Sequence, residues 1–201
     1  MMKKITLIML ALVSLSLSAQ TYYSEDFEAE TEGAAPSAFT VLNEDACTIE
    51  NPGLLPNESW TVLDDAAPQG LTAQAMSWTN NGCAVDDWMI TPAIDLSAAT
   101  TGTSLSWKGK STNENFLETY EVLLSTTGTA TTDFTTLLET VVDELDAWTS
   151  HSVSLAPHVG ASVYIAFRLI SADEDRCAID DILVSEPAAF DMVVSEVNTN
   201  G

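Results

Sequence analysis

Apolar and polar residues alternate along most of this chain. The alternation is sharpest at 86–96, where Trp88, Ile90, Ile94 and Leu96 fall on one face and Asp87, Met89, Thr91 and Asp95 on the other. A period of two is the pattern of a strand with one dry face. Pro92 has no N–H for a ladder, so the run must bend or reach a sheet edge there. The same period predicts strands at 21–28, 39–42, 60–63, 71–78, 104–107, 119–125, 134–142, 149–155, 162–170 and 178–185. At 162–170 it sets Val163, Ile165, Phe167 and Leu169 on one side. Asp64 to Gly70, Asn80-Asn81-Gly82 and Thr126-Thr127-Gly128 read as turns between them. No long, capped stretch of period 3.6 occurs beyond residue 19, and 141–145 is expected to make one helical turn at most. Many short strands joined by such turns predict an all-β sandwich or barrel of antiparallel sheets.

The ends read differently. Lys3-Lys4, the apolar run from Ile5 to Leu17 and the small pair Ser18-Ala19 form the three parts of a signal peptide over 1–19. The run is short for a bilayer span, so export is expected rather than membrane insertion. One domain is expected over 20–187. Residues 188–201 read as a linker or as the first strand of a further unit, and a lone strand cannot bury its face. The chain is therefore expected to be a fragment of a longer protein.

Charge narrows the partners. The formal net charge is −24, and removal of 1–19 would leave Lys108, Lys110, Arg168 and Arg176 against 30 acidic residues. Such a surface repels nucleic-acid backbones and anionic lipids. Cys47, Cys83 and Cys177 allow one bridge and one free thiol in an exported chain, with three pairings open. Cys83 with Cys177 is favoured because each stands just ahead of an acidic doublet.

Those doublets, Asp86-Asp87 and Asp180-Asp181, are the main candidates for chemistry. In a regular strand Asp180 and Asp181 point to opposite faces, so one of them meets the core. A buried carboxylate must be paired, hydrogen-bonded or metal-bound. Cations are scarce, and calcium takes six to eight oxygens, so a calcium site built from separate loops is expected. Asp26, Glu28, Asp45 and Asp86 are candidates for the remaining oxygens. Catalysis has little support: His151 and His158 are the only histidines, and neither lies in a mechanism-bearing motif. The chain is expected not to be an enzyme. Of the five tryptophans most are expected in the core, with Trp148 the readiest to face solvent.

Several segments together carry a resemblance. Asp26-Phe27-Glu28, the run from Asp86 to Ser97, Tyr120-Glu121-Val122, Ser125-Thr126-Thr127-Gly128, Asp133-Phe134, Trp148, Val163 to Arg168 and Ile179-Asp180-Asp181-Ile182 follow one another in order. Over roughly 22–187 they resemble the cleaved-adhesin, or choice-of-anchor J, family of secreted Bacteroidetes-type proteins, which includes the adhesin regions of gingipains. The resemblance implies a jelly-roll β-sandwich similar to MAM and carbohydrate-binding modules. It implies structural calcium, with Glu28 and Asp181 as ligands, and export, often through the type IX system. It further implies a secreted or cell-surface binding module for a host or extracellular protein or glycan. The alternatives are an accessory domain of a longer secreted hydrolase or peptidase, and a structural spacer in a surface protein. Between Phe39 and Trp60 the chain departs from the family pattern, which puts a second calcium site there in doubt.

Overall fold

The structure is a computed structural model that describes residues 19–55, 58–66 and 68–187. The expected signal peptide and the strand expected at 190–197 lie outside the described residues, apart from Ala19. Twelve strands follow in order: β1 (Gln20–Glu25), β2 (Thr40–Asn43), β3 (Thr61–Asp64), β4 (Leu71–Met76), β5 (Asp87–Ile90), β6 (Ile94–Asp95), β7 (Ser104–Ser111), β8 (Tyr120–Ser125), β9 (Thr136–Val141), β10 (Thr149–Ser154), β11 (Ser162–Leu169) and β12 (Arg176–Glu186). Among the described residues the only helices are single 3-10 turns at Thr131–Asp133 and Ala156–His158, and 141–145 forms none.

All the pairings are antiparallel and build two six-stranded sheets. One runs β10-β7-β12-β4-β3, with β1 also on β12; the other runs β2-β5-β11-β8-β9, with β6 also on β11. This is the all-β, two-sheet sandwich that the alternation predicts. Its core lies between the sheets, where Trp60, Trp107, Phe27, Phe167, Met89, Leu105, Ile165 and Ile179 are buried. A second cluster on the far side of the β2–β9 sheet gathers Trp88, Ile90, Leu123, Phe134 and Ala166.

That second cluster corrects the expected face of 86–96. Against β11, Ile90 pairs with Ala166 and Ile94 with Val163, so four steps on one side oppose three on the other. One extra residue is taken up around Pro92, and inward and outward exchange there. Met89, Ile94 and Leu96 face the main core, while Trp88 and Ile90 face the outer cluster. Asp87 is turned inward and is only 1% exposed. Its carboxyl is pushed up to about 8, chiefly by burial, with Asp45, Asp86 and Glu58 adding repulsion and Ser59 partly opposing. Each doublet therefore buries one acid, Asp87 in the first and Asp180 in the second, both 1% exposed.

A disulfide joins Cys47 to Cys83, not Cys83 to Cys177 as their places ahead of the acidic doublets predict. Cys177 lies on β12 facing the core, fully buried and free, opposite Ala75 and Ser111. Burial and the carboxylates Glu118 and Glu144 push its thiol pKa well up. Position ahead of a doublet says nothing about which face a cysteine occupies. The exposed tryptophan is also different: Trp78 is 48% exposed. Trp148 is half-buried, donating to Asp65 (3.0 Å) with the Lys110 ammonium over its ring.

Candidate functional site

The strand β12 is flanked on one edge by β7 and on the other by two strands laid end to end. β4 covers its first half, ending with Ala73 opposite Ile179, and β1 covers its second half, beginning with Glu25 opposite Ile182. Asp180 and Asp181 sit in the gap between them. Against β7, Asp180 pairs with Lys108 and Leu183 with Ser106, so β12 carries one extra residue here. Asp181 holds the left-handed backbone (φ +49°) that such a bulge needs. Ile179 and Ile182 both face the core as a result, although three residues apart.

This corrects the expectation that the two aspartates point to opposite faces. The Gln69 amide donates to the Oδ2 atoms of both Asp180 and Asp181, the second at 3.3 Å, so the two carboxylates share one side. The segment leaving β1 supplies more acids. Phe27, with φ +55°, is buried in the core and leaves Asp26 and Glu28 outward. Glu28 accepts from the Leu71 amide (3.0 Å) and lies against Gly70, where a Cβ would overlap its carboxylate. Gly70 also holds φ +76°, so both space and backbone call for glycine.

A cavity of about 550 Å³ is the outcome, with Asp26, Glu28, Gln69, Lys108, Asp180 and Asp181 on its walls. Four of the six residues proposed from sequence are thus brought to one place. Asp180 is 1% exposed and its Oδ1 has no hydrogen-bond partner. Burial pushes its carboxyl up to about 6, with Gln69 opposing. The Lys108 ammonium sits 2.7 Å from Asp181 Oδ2. Among the described residues no three acidic, histidine or cysteine side chains converge on a single point. The chemistry of the walls is nonetheless that of a hard-cation site: four acids, one of them with a buried unpartnered oxygen, face a single lysine.

Asp45 and Asp86 lie elsewhere and are spent otherwise. Asp86 takes Arg168 through both carboxylate oxygens (2.6 and 3.0 Å) and the Trp88 indole N–H (2.6 Å). Asp45 accepts from the backbone N–H groups of Cys47 and Asp86.

The cavity continues into a cleft of about 490 Å³ that shares Asp26, Lys108 and Asp181 and adds the hydroxyls of Ser24, Ser106 and Ser150. Beneath it His151 stacks on Trp107, with centroids 5.1 Å apart. Its Nε2 lies 2.7 Å from the buried Glu144 carboxylate, which also accepts from Tyr120 Oη (2.8 Å). Tyr120 in turn accepts from the Trp107 indole (3.0 Å). A Cβ on Gly109 would collide with both Glu144 and Tyr120, so glycine there makes room for the network. Sequence reading did not find Gln69, Gly70 or Lys108. Lys108 carried the only available signal, as one of four cations in the domain.

Among curated proteins no sequence matches significantly. Solved structures do. The K1 Cleaved Adhesin domain of Lys-gingipain from Porphyromonas gingivalis W83 aligns with a TM-score of 0.62 at 22% identity, covering 83% of this chain and 98% of that one. Its K3 domain gives 0.61 at 20%, covering 84% and 99%. TmCBM61, solved with β-1,4-galactotriose, gives 0.53 at 10%, covering 83% and 99%. At these identities the likeness shows the fold alone, one shared by adhesin domains and carbohydrate-binding modules. The Cleaved Adhesin Domain model matches residues 23–184, and the chain belongs to that family.

Proposed function

We propose that this protein is a secreted or cell-surface, non-catalytic binding module that holds a structural calcium ion and recognises an extracellular protein or glycan. The observation that carries the reading is the gap between β1 and β4. A strand broken in two leaves part of the β12 edge without a partner, and the sequence fills that place with Asp26, Glu28, Asp180 and Asp181. Four acids against one lysine would repel one another there, and a divalent cation relieves that repulsion. In this reading Glu28 and Asp181 are the principal ligands, and Asp180 and Asp26 complete the acidic wall. A bound ion would tie three separate segments together at the weakest joint of the sheet. The hydroxyl-bearing cleft beside it offers hydrogen-bonding groups suited to an extracellular glycan or polypeptide.

The metal is tested by thermal melting of the whole chain with calcium and with chelator. A ligand bound only by the native state stabilises it by mass action, so chelation should lower the melting temperature by several degrees. Asp181→Asn and Glu28→Gln should each melt near the chelated value and respond little to calcium. Identical melts with and without calcium would sink the metal assignment. Recognition is tested on arrays of glycans and extracellular proteins. Blank arrays in the presence of calcium would leave only a spacer or accessory role.

A further inference from the structure

At one end of the sandwich three loops meet: 77–86 between β4 and β5, 112–119 between β7 and β8, and 170–175 between β11 and β12. They enclose a groove of about 260 Å³ lined by Trp78, Asn113, Phe116, Asp173, Glu174 and Asp175. Two features make it unlike the rest of the surface. Trp78 and Phe116 are 48% and 44% exposed, in a chain that buries Trp60, Trp88 and Trp107. Three consecutive acids stand beside them. Among the described residues the only cation in contact with these acids is Arg176, 3.9 Å from Asp175, and its guanidinium already donates to Gln74 at 2.6 Å.

We propose that this groove takes a lysine or arginine side chain presented by a partner polypeptide. Aromatic faces attract cations, tryptophan most strongly, and the attraction grows as water is excluded. The flanking carboxylates supply the ion pair that orients such a side chain and discriminate against acidic partners. A neutral sugar ring would stack on the same aromatics but would leave the repulsion among the three carboxylates unrelieved. At Glu174 the pKa is raised first by desolvation, then by Asp143 outside the groove and by its neighbour Asp173. The guanidinium or ammonium is the chemistry that answers both halves of the groove.

The groove is also held in shape before any partner arrives. Ser77 receives the 170–175 loop at three points: its carbonyl accepts from Asp173 N (3.0 Å), its Oγ from Glu174 N (3.2 Å), and its N–H donates to Asp175 O (3.1 Å). Thr79 Oγ1 accepts from Cys83 N (2.8 Å), and Cys83 is bridged to Cys47. Phe116 N donates to Asn113 O (3.2 Å), which closes the third loop. A site fixed in this way loses little ordering entropy on binding.

This assignment rests on the reading of the chain as a binding module. Its test uses the whole protein with calcium and a capped hexapeptide of alternating arginine and glycine. The counterpart peptide carries citrulline, which keeps the shape and loses the charge. The readout is the Trp78 indole N–H resonance, identified by its loss in Trp78→Phe. The arginine peptide should shift it saturably, with citrulline at least ~10-fold weaker. Asp173→Asn with Glu174→Gln should weaken the arginine peptide by ~10-fold, and Trp78→Ala by as much, with melting temperatures unchanged. Equal affinity for citrulline, or full affinity of Trp78→Ala for the arginine peptide, overturns the proposal. So does a Trp78 shift produced by galactotriose and not by the peptide, which makes the groove a sugar subsite. Failure here alongside positive arrays removes only this site; blank arrays as well remove the module.

Discussion

At the scale of single residues the telling groups are carboxylates that the fold keeps dry. Glu118 is fully buried and accepts from Ser77 Oγ at both oxygens (2.9 and 3.0 Å). Burial raises its carboxyl from the ordinary 4.5 to about 7, with Glu174 and Asp175 adding repulsion and Ser171 and Ser77 opposing. A carboxyl whose folded value is raised favours the protonated native state. Its contribution is fully present below about 4.5 and is lost as pH rises to about 7. The loss is on the order of 3 kcal/mol. Glu118→Gln keeps the shape without the charge. It should raise stability at pH 8 and flatten the decline between pH 4.5 and 7 in urea titrations. An unchanged profile would mean that water or rearrangement already satisfies this carboxylate.

At the scale of elements, the bridge between Cys47 and Cys83 ties the segment after β2 to the loop after β4, closing 36 residues of chain. Loop-closure entropy for that length predicts that Cys47→Ser with Cys83→Ser costs roughly 2–4 kcal/mol in denaturant unfolding. Thiol labelling of the parent should find Cys177 unreactive until the chain unfolds, because it is buried on β12. A peptide map joining Cys177 to either partner would overturn the pairing.

The same scale shows what the alternation could and could not reveal. It located most strands and the two-sheet sandwich, because turn residues punctuate short apolar runs. It misplaced faces wherever one residue was inserted, at Pro92 and at Asp180-Asp181, since a single bulge inverts everything downstream. It also shortened β7 to 104–107. Lys108 to Ser111 carry no apolar mark, because Gly109 yields its inward space to Glu144 and Tyr120. The acidic residues of the cavity were legible as types. Their convergence was not, because it depends on β1 and β4 meeting end to end against β12. The groove at Trp78 was hidden for a similar reason, as its walls come from three loops remote in sequence.

At the scale of the whole molecule the net charge of −24 becomes an argument about salt. Each of the four cations in the described chain is already engaged: Lys108 with Asp181, Lys110 with Asp65, Arg168 with Asp86 and Glu121, and Arg176 with Asp175. Most other carboxylates therefore have no cationic partner, and folding brings them closer together. Such self-repulsion destabilises the compact state and is screened over a length that falls from about 30 Å at 0.01 M salt to about 3 Å at 1 M. In chelator, sodium chloride should raise the melting temperature by several degrees across that range. The rise should be the same in Asp181→Asn, because it belongs to the whole surface. Calcium acts at one place instead: its effect should saturate at low concentration, persist in high salt and vanish in Asp181→Asn. If salt and calcium prove interchangeable, so that either removes the response to the other, the acidic cavity is only part of a diffuse counter-ion atmosphere and the gap in the sheet is not a metal site.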